Sequence, residues 1–443
     1  MKTVFRILNY VRLAAFPLGY GLTGALVGGT LNRVMIADLG LPATLVGFFL
    51  AVPMLISPAR VWLGYRSDGF PIFGRRREPY IVTGSLLTGL GVIGAVVLAL
   101  NMADSTPLLF AGVLLAFVLY GVGRNLSHNT FEALLADTFT GDQRPRAMTL
   151  YEVATLLGLV MGAGGLGKAL EVFDPARLVS VTIGAVTVAF ILATFAALGQ
   201  ERRSETASEA TEKARRMPFA KVLREVVLPD PQVRLFFILI LFTFVGTLAQ
   251  DVLLEPYGAL ALGMPVGETT RLTAFWGLGV MASMLISGTI LIKFLGYLKV
   301  LRIGLVASLL VFVGVIAAGV VGNTGLFKGL VVVMGLGTGL AGAGLMTGFI
   351  SFTTSIRAGL LMGVWGMANL LGRAFGSLMG GAVVDVMQSV TGGNALVSYS
   401  TVFGLEVVML VIALGLSFRL DIAASRAQLE ERKELQRAVA AAD

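Results

Sequence analysis

The stretch "LYGVGRNLSHNTFEALLAD" places Arg124, His128 and Glu132 four residues apart inside an otherwise apolar run. On a helix that spacing stacks a guanidinium, an imidazole and a carboxylate in one row, with Asn125 and Asn129 beside it. Such a row could hold the polar atoms of a ligand, relay a proton, or ligate a metal through a neutral imidazole nitrogen. The bland alternative is a histidine held by hydrogen bonds to Glu132 or Arg124. No Ser-His-Asp or zinc-ligand signature is visible, and with His128 the single histidine and no cysteine most such schemes are unavailable. No paired-carboxylate signature is visible either, and a non-enzymatic role is expected.

A charge at the centre of a bilayer costs at least about 2.5 kcal/mol. The row is therefore expected to face the interior of a helix bundle and to find partners there. Glu152 in the fifth apolar run and Arg373 in the eleventh are the expected complements. Asn32 and Arg33, near the end of the first run, are candidates for the same cavity, although an arginine there can also snorkel to the interface.

The elements that position these residues follow from composition. Of 443 residues, 56% are hydrophobic and 14% charged, against roughly 25% charged in a soluble chain. Apolar runs long enough to span a bilayer recur about twelve times. An all-α membrane protein is predicted, with twelve transmembrane helices in two six-helix bundles. The predicted organisation is a first bundle over 1–199, a cytoplasmic linker with an interfacial helix over 200–233, a second bundle over 234–419 and a cytoplasmic tail over 420–443. Most of the 34 Lys and Arg residues fall on the side that carries both termini, so both ends are expected in the cytoplasm. The stretch "RAMTLYEVATLLGLVMG" from Arg146 recurs with a three-residue offset as "RAGLLMGVWGMANLLGRAFG" from Arg357. Runs five and eleven thus occupy matching places in a repeated architecture.

The 56 glycines are read as packing residues. Four G-x-G-x-x-G patterns, from Gly19, Gly89, Gly162 and Gly337, lie within apolar runs with no preceding strand, so they are not dinucleotide sites. "GAGGLGKA", from Gly162, ends in Ala169 where a phosphate loop needs Ser or Thr, and no nucleotide or nucleic-acid partner is expected. Close helix packing is instead predicted at Gly158-x-x-x-Gly162 and Gly372-x-x-x-Gly376-x-x-x-Gly380.

The loop "GYRSDGFPIFGRRREPY" sets Gly64 and Asp68 one turn apart, followed by Gly74, Arg75 and Arg76. It resembles the loop signature of the major facilitator superfamily, whose Asp and arginines latch an inner gate, with a gap three residues longer than usual. "ADTFTGDQRPRA" adds Asp137 before Arg144 and Arg146, similar to the acid-then-Arg signature at the matching place. A solvated turn whose arginines fix topology is the competing reading.

Three stretches, "GTLNRVMIADLGLPATLVG", "SPARVWLGYRSD" and "GRRREPYI", resemble the PucC/LhaA-type bacteriochlorophyll delivery family, a branch of that superfamily. The resemblance is densest from Leu31 to Tyr80. It departs in the fourth run, where Asn125 and His128 stand at the places of a His and a Gln, and before the arginines, where a Trp is common. It implies a multi-pass factor of the bacterial inner or intracytoplasmic membrane that takes (bacterio)chlorophyll and helps install it in light-harvesting polypeptides. The bacteriochlorophyll synthase would be a further partner, the pigment would be held transiently with no tightly bound cofactor, and His128 could ligate its magnesium. Two alternatives stand beside it: a proton-coupled transporter of a small amphiphile, using Glu132, Glu152 or Asp137, and a static scaffold.

Overall fold

The computed structural model describes residues 2–56, 72, 75, 77–102, 106–139, 143–200, 231–352 and 358–420. For 2–10, 136–137, 143–146, 148–149, 233, 249, 251, 349–352 and 358–367 the description covers the backbone alone. The predicted linker helix and the predicted tail lie outside the described residues.

Among the described residues every extended element is helical. Among the described residues ten helices are long and apolar enough to cross a membrane, and two shorter apolar ones, Ala43–Leu55 and Arg234–Leu248, take the second and seventh places. This is compatible with the twelve expected passes. Helix α1 spans Lys2–Gly24 and continues through two wide π turns, Ala25–Leu31 and Val34–Asp38. Then follow α2 (Ala43–Leu55), α3 (Glu78–Ala99), α4 (Pro107–Thr138), α5 (Gln143–Ala169) and α6 (Pro175–Ala197). The second half contains α7 (Pro231–Leu248), α8 (Val266–Ile286), α9 (Tyr297–Val321), α10 (Thr324–Phe352), α11 (Ala358–Val390) and α12 (Ala395–Phe418). Between α7 and α8 the chain makes a 3-10 turn, Ala249–Val252, and a short helix, Leu254–Leu260.

Helix starts follow local chemistry. Asp174 accepts from the backbone N–H of Ala176 and Arg177 ahead of α6, and Asn394 accepts from Val397 ahead of α12, satisfying donors that have no intrahelical partner. Gly322, at φ +70°, turns α9 tightly into α10, a conformation that a side chain would strain.

The packing repeats. In the first half α1 lies against α5 and α6, α3 against α4 and α6, and α2 against α4; each pairing recurs six helices later. The reason is visible at the glycines, because lipid tails are as apolar as leucine and helices cohere in them by close backbone approach. A Cβ on Gly84 of α3 would stand 2.6 Å from the Ser127 nitrogen and 2.9 Å from the Gly123 oxygen of α4. The counterpart is Gly304 of α9, whose Cβ would meet the Ala341 nitrogen and stand 2.8 Å from the Gly337 oxygen of α10. Gly158 meets Leu18 and Gly162 meets Leu22 of α1, so that predicted spacing serves close packing, and Gly372 meets Phe244 of α7. The halves touch each other through α2 with α11 and α5 with α8.

Overpacking a close contact typically costs about 1–3 kcal/mol. Gly84→Val is expected to lower the melting temperature of the detergent-solubilised protein by several degrees. Gly164→Ala, where a Cβ meets nothing within 4 Å, is expected to melt at or above the parent temperature, since Ala gains roughly 1 kcal/mol over Gly in a helix. Equal melting shifts for the two would refute the packing account.

Candidate functional site

The polar row of α4 lies about half a turn around the helix from the exposed residues Leu108, Ala111 and Leu115, so it points inward. The partners it finds are mostly aromatic. The Arg124 guanidinium sits 3.6 Å from the centre of the Tyr20 ring and 5.8 Å from that of Tyr120. Its Nη1 donates to the Tyr20 carbonyl and to the Thr23 hydroxyl, each at 3.3 Å. A desolvated cation over a ring is worth about 2 kcal/mol, which offsets most of the cost of an arginine at this depth. The expected ionic complement is therefore replaced by α1.

His128 is enclosed on three sides. Tyr20 stacks on its face at 4.9 Å, Nδ1 shares a hydrogen bond with the Tyr151 hydroxyl, and Nε2 stands 3.5 Å from Glu132 Oε1. Both ring nitrogens thus face protein groups. This geometry favours the hydrogen-bonded reading of His128 over the magnesium-ligand reading. Exposure rises along the row toward the chain's two ends, from 13% for the His128 side chain to 34% for Glu132.

Helix α5 carries the same gradient. Leu157, Met161 and Lys168 form its exposed outer stripe, and Glu152 lies on the opposite face. Glu152 is nevertheless exposed, while along that inner face Leu156 and Leu159 are half-buried, and Ala163 and Leu166 are 0% and 4% exposed. Exposure on an inward face means an open hollow. It is wide near the chain's ends and closes toward the far end. Across it, Arg373 of α11 is half-buried, also inward of its helix's exposed residues Leu371 and Phe375, and interacts electrostatically with Glu152. The Arg373 Nε has no hydrogen-bond partner.

The remaining predicted residues are elsewhere. Asn125 points to the other side of α4 and donates to the Pro53 carbonyl of α2 at 3.0 Å. Asn129 is half-buried beside the row. Asn32, fully buried, donates to the Val252 carbonyl at 2.9 Å, and Arg33 pairs with Asp38 one turn on. These two seal the far end where α1 meets the turn after α7, and they do not join the hollow. Of the predicted gate, Gly64, Asp68, Gly74 and Arg76 lie outside the described residues. So do the side chains of Asp137, Arg144 and Arg146, whose backbone closes α4 and opens α5. Arg75 pairs with Glu78, a carboxylate with 2% side-chain exposure at the start of α3.

Sequence reasoning passed over Tyr20 and Tyr151, the clamp around His128, although a tyrosine amid "PLGYGLTG" was a signal. It also passed over three acids within apolar helices: Asp385, and the buried Glu255 and Glu406, 4% and 0% exposed. Glu255 Oε1 accepts from the Thr273 hydroxyl of α8 at 2.5 Å. Among the described residues no cluster of three or more His, Asp or Glu could hold a metal ion.

Two shallow clefts adjoin the row. One, with room for about 20 Å³, lies between α1, α3, α4 and α6 beside Tyr20 and Ser127; the other, with room for about 10 Å³, lies beside Tyr151 and Phe131. Ligand pockets run to about 300–1,000 Å³, so neither cleft encloses a tetrapyrrole.

Solved structures with this architecture include the nucleoside transporter NupG, with a TM-score of 0.66 at 15% identity, covering 92% of this chain and 98% of that one. A bacterial homologue of the human lysosomal transporter Spinster, in an inward-facing and occupied conformation, aligns with a TM-score of 0.66 at 15% identity, over 92% and 96%. At such identities the likeness bears on fold alone, that of the major facilitator superfamily. Sequence relatives are nearer. An uncharacterized protein in the puhA-bchM intergenic region of Rhodobacter capsulatus is 32% identical, over 91% of this chain and 87% of its own. Protein PucC of the same organism is 31% identical over 91% and 90%, and the bacteriochlorophyll synthase 44.5 kDa chain, also from Rhodobacter capsulatus, is 30% identical over 92% and 94%. Residues 30–424 match the family described as PUCC protein, and with relatives this similar along nearly their whole length the chain belongs to that family.

Proposed function

We propose that the protein is a membrane-embedded carrier that takes (bacterio)chlorophyll into its central hollow and hands it to light-harvesting polypeptides. Both termini would lie in the cytoplasm of a bacterial inner or intracytoplasmic membrane. The pigment class is supported by family membership and by a relative named for bacteriochlorophyll synthase. The place is supported by one observation: Glu152 is exposed on an inward face and opposite Arg373, so polar anchors stand on both walls of a hollow that narrows into apolar packing. A chlorophyll pairs a large apolar body with a few ring carbonyls, and such a wall suits it. The half-buried Arg373 guanidinium would donate to a ring carbonyl.

A second reading, proton-coupled transport of a small amphiphile, is favoured by the same pair. A carboxyl group that can trade its proton against an arginine on the opposite half is a means of coupling. In that case the pigment would be absent and Glu152 would be the coupling group.

Purification in mild detergent from a pigment-producing membrane is expected to yield substoichiometric bacteriochlorophyll, read from the absorption spectrum. Arg373→Gln should lower the retained pigment about tenfold, the loss of one hydrogen bond from a charged donor, whereas His128→Gln should retain it because neither nitrogen is free. Pigment-free preparations throughout, or loss confined to His128→Gln, would overturn the assignment. For the transport reading, proteoliposomes should accumulate an amphiphile only under a proton gradient, and Glu152→Gln should abolish that uptake while leaving the melting temperature unchanged. Uptake indifferent to the gradient would remove this reading.

A further inference from the structure

The end of the bundle away from the chain's termini is closed, and the two seams that close it follow one pattern. In the register that aligns Gly158 with Gly372, Gly167 aligns with Gly381 and Glu171 with Asp385. Each seam is therefore a glycine followed four residues later by an acid, one turn further along the same face. At the first seam, a Cβ on Gly167 of α5 would stand 2.7 Å from the Gly267 carbonyl oxygen at the start of α8. At the second, a Cβ on Gly381 of α11 would stand 2.5 Å from the Ala43 carbonyl oxygen at the start of α2. The glycines let each helix lie against the first turn of a helix from the other half.

The acids then differ. Glu171 reaches Arg271 at 3.4 Å, with side chains 70% and 37% exposed, a solvated pair of small value. Asp385 accepts the Ala43 N–H at 2.8 Å through Oδ1 and the Thr44 N–H at 2.7 Å through Oδ2. Helix α2 begins after Pro42, which supplies no side-chain cap. Its first donors and the positive end of its dipole are thus answered by a carboxylate from the opposite half.

We propose that Asp385 is the latch that holds the far end shut, capping α2 in trans, and that Glu171 is its weaker counterpart across the pseudo-two-fold axis. Opening the far end has to uncap α2, and losing a cap shifts a helix equilibrium by about 2- to 30-fold. The latch concerns which end of the hollow is open, independently of what occupies it.

The chain has no cysteine, so labels can be placed at will. Leu108 of α4 and Val390 of α11, 82% and 75% exposed, stand at the far end on opposite halves. Nitroxides on Leu108→Cys and Val390→Cys, in lipid nanodiscs without pigment, would report the separation of the halves by pulsed dipolar spectroscopy. Asp385→Ala is expected to enlarge the long-distance population about threefold or more, the near-isosteric Asp385→Asn to enlarge it less, and Glu171→Ala to enlarge it less than Asp385→Ala. A distribution unchanged in both Asp385 variants, or an equal change on Glu171→Ala, would overturn the latch. If Asp385→Ala does not fold, judged by circular dichroism, Asp385→Asn against Glu171→Ala decides. No pigment enters the measurement, so its failure leaves the proposed cargo untouched.

Discussion

A bilayer interior supplies neither water for polar groups nor a hydrophobic reward for pressing one apolar helix onto another. Both deficits have to be met by the chain, and the architecture follows from how it meets them. Cohesion comes from backbone approach, which is why α3 and α4, α9 and α10, and both inter-half seams meet at glycines where a methyl group would collide with a carbonyl or an amide. Polar satisfaction comes from neighbours reached across those narrow gaps: Tyr20 for Arg124, Val252 for Asn32, Thr273 for Glu255.

The interior of the first half shows how that second demand shapes a site. Arg124 could have been neutralised by a carboxylate, but a buried ion pair must repay the desolvation of two charges. A ring face and a carbonyl repay one. Glu152 is left to interact with Arg373 on the other half. Charge is thus divided between a clamped row, which fixes α1 on α4, and a loosely held pair spanning the hollow. The clamped row is structural in its contacts; the spanning pair is where a ligand would compete.

The helical class, the sequence of spans and the matching of α5 with α11 were legible from hydropathy and from the repeat at Arg146 and Arg357. So was the inward direction of the α4 row, because the cost of charge in lipid allows one answer. The identity of its partners was not legible, since an aromatic ring in an apolar run looks the same whether it faces a lipid or a guanidinium. Asn32 and Arg33 were assigned to the hollow because depth in the sequence says nothing of which end is closed. Asp385 was missed for a similar reason: its partners are backbone N–H groups, which no motif records.

The wide turns of α1 have a bearing on all of this. Each π turn carries a residue more than an α-helix would use, and one residue is worth about 100° of rotation. The two turns, Ala25–Leu31 and Val34–Asp38, bracket Asn32 and Arg33. Deleting a single residue between 25 and 31 would restore ordinary winding and swing Asn32 off the Val252 carbonyl. The extra residue acts as a phase shifter: it lets one continuous rod address α4 with its lower portion and the turn beyond α7 with its upper portion, two directions that uniform winding would not align.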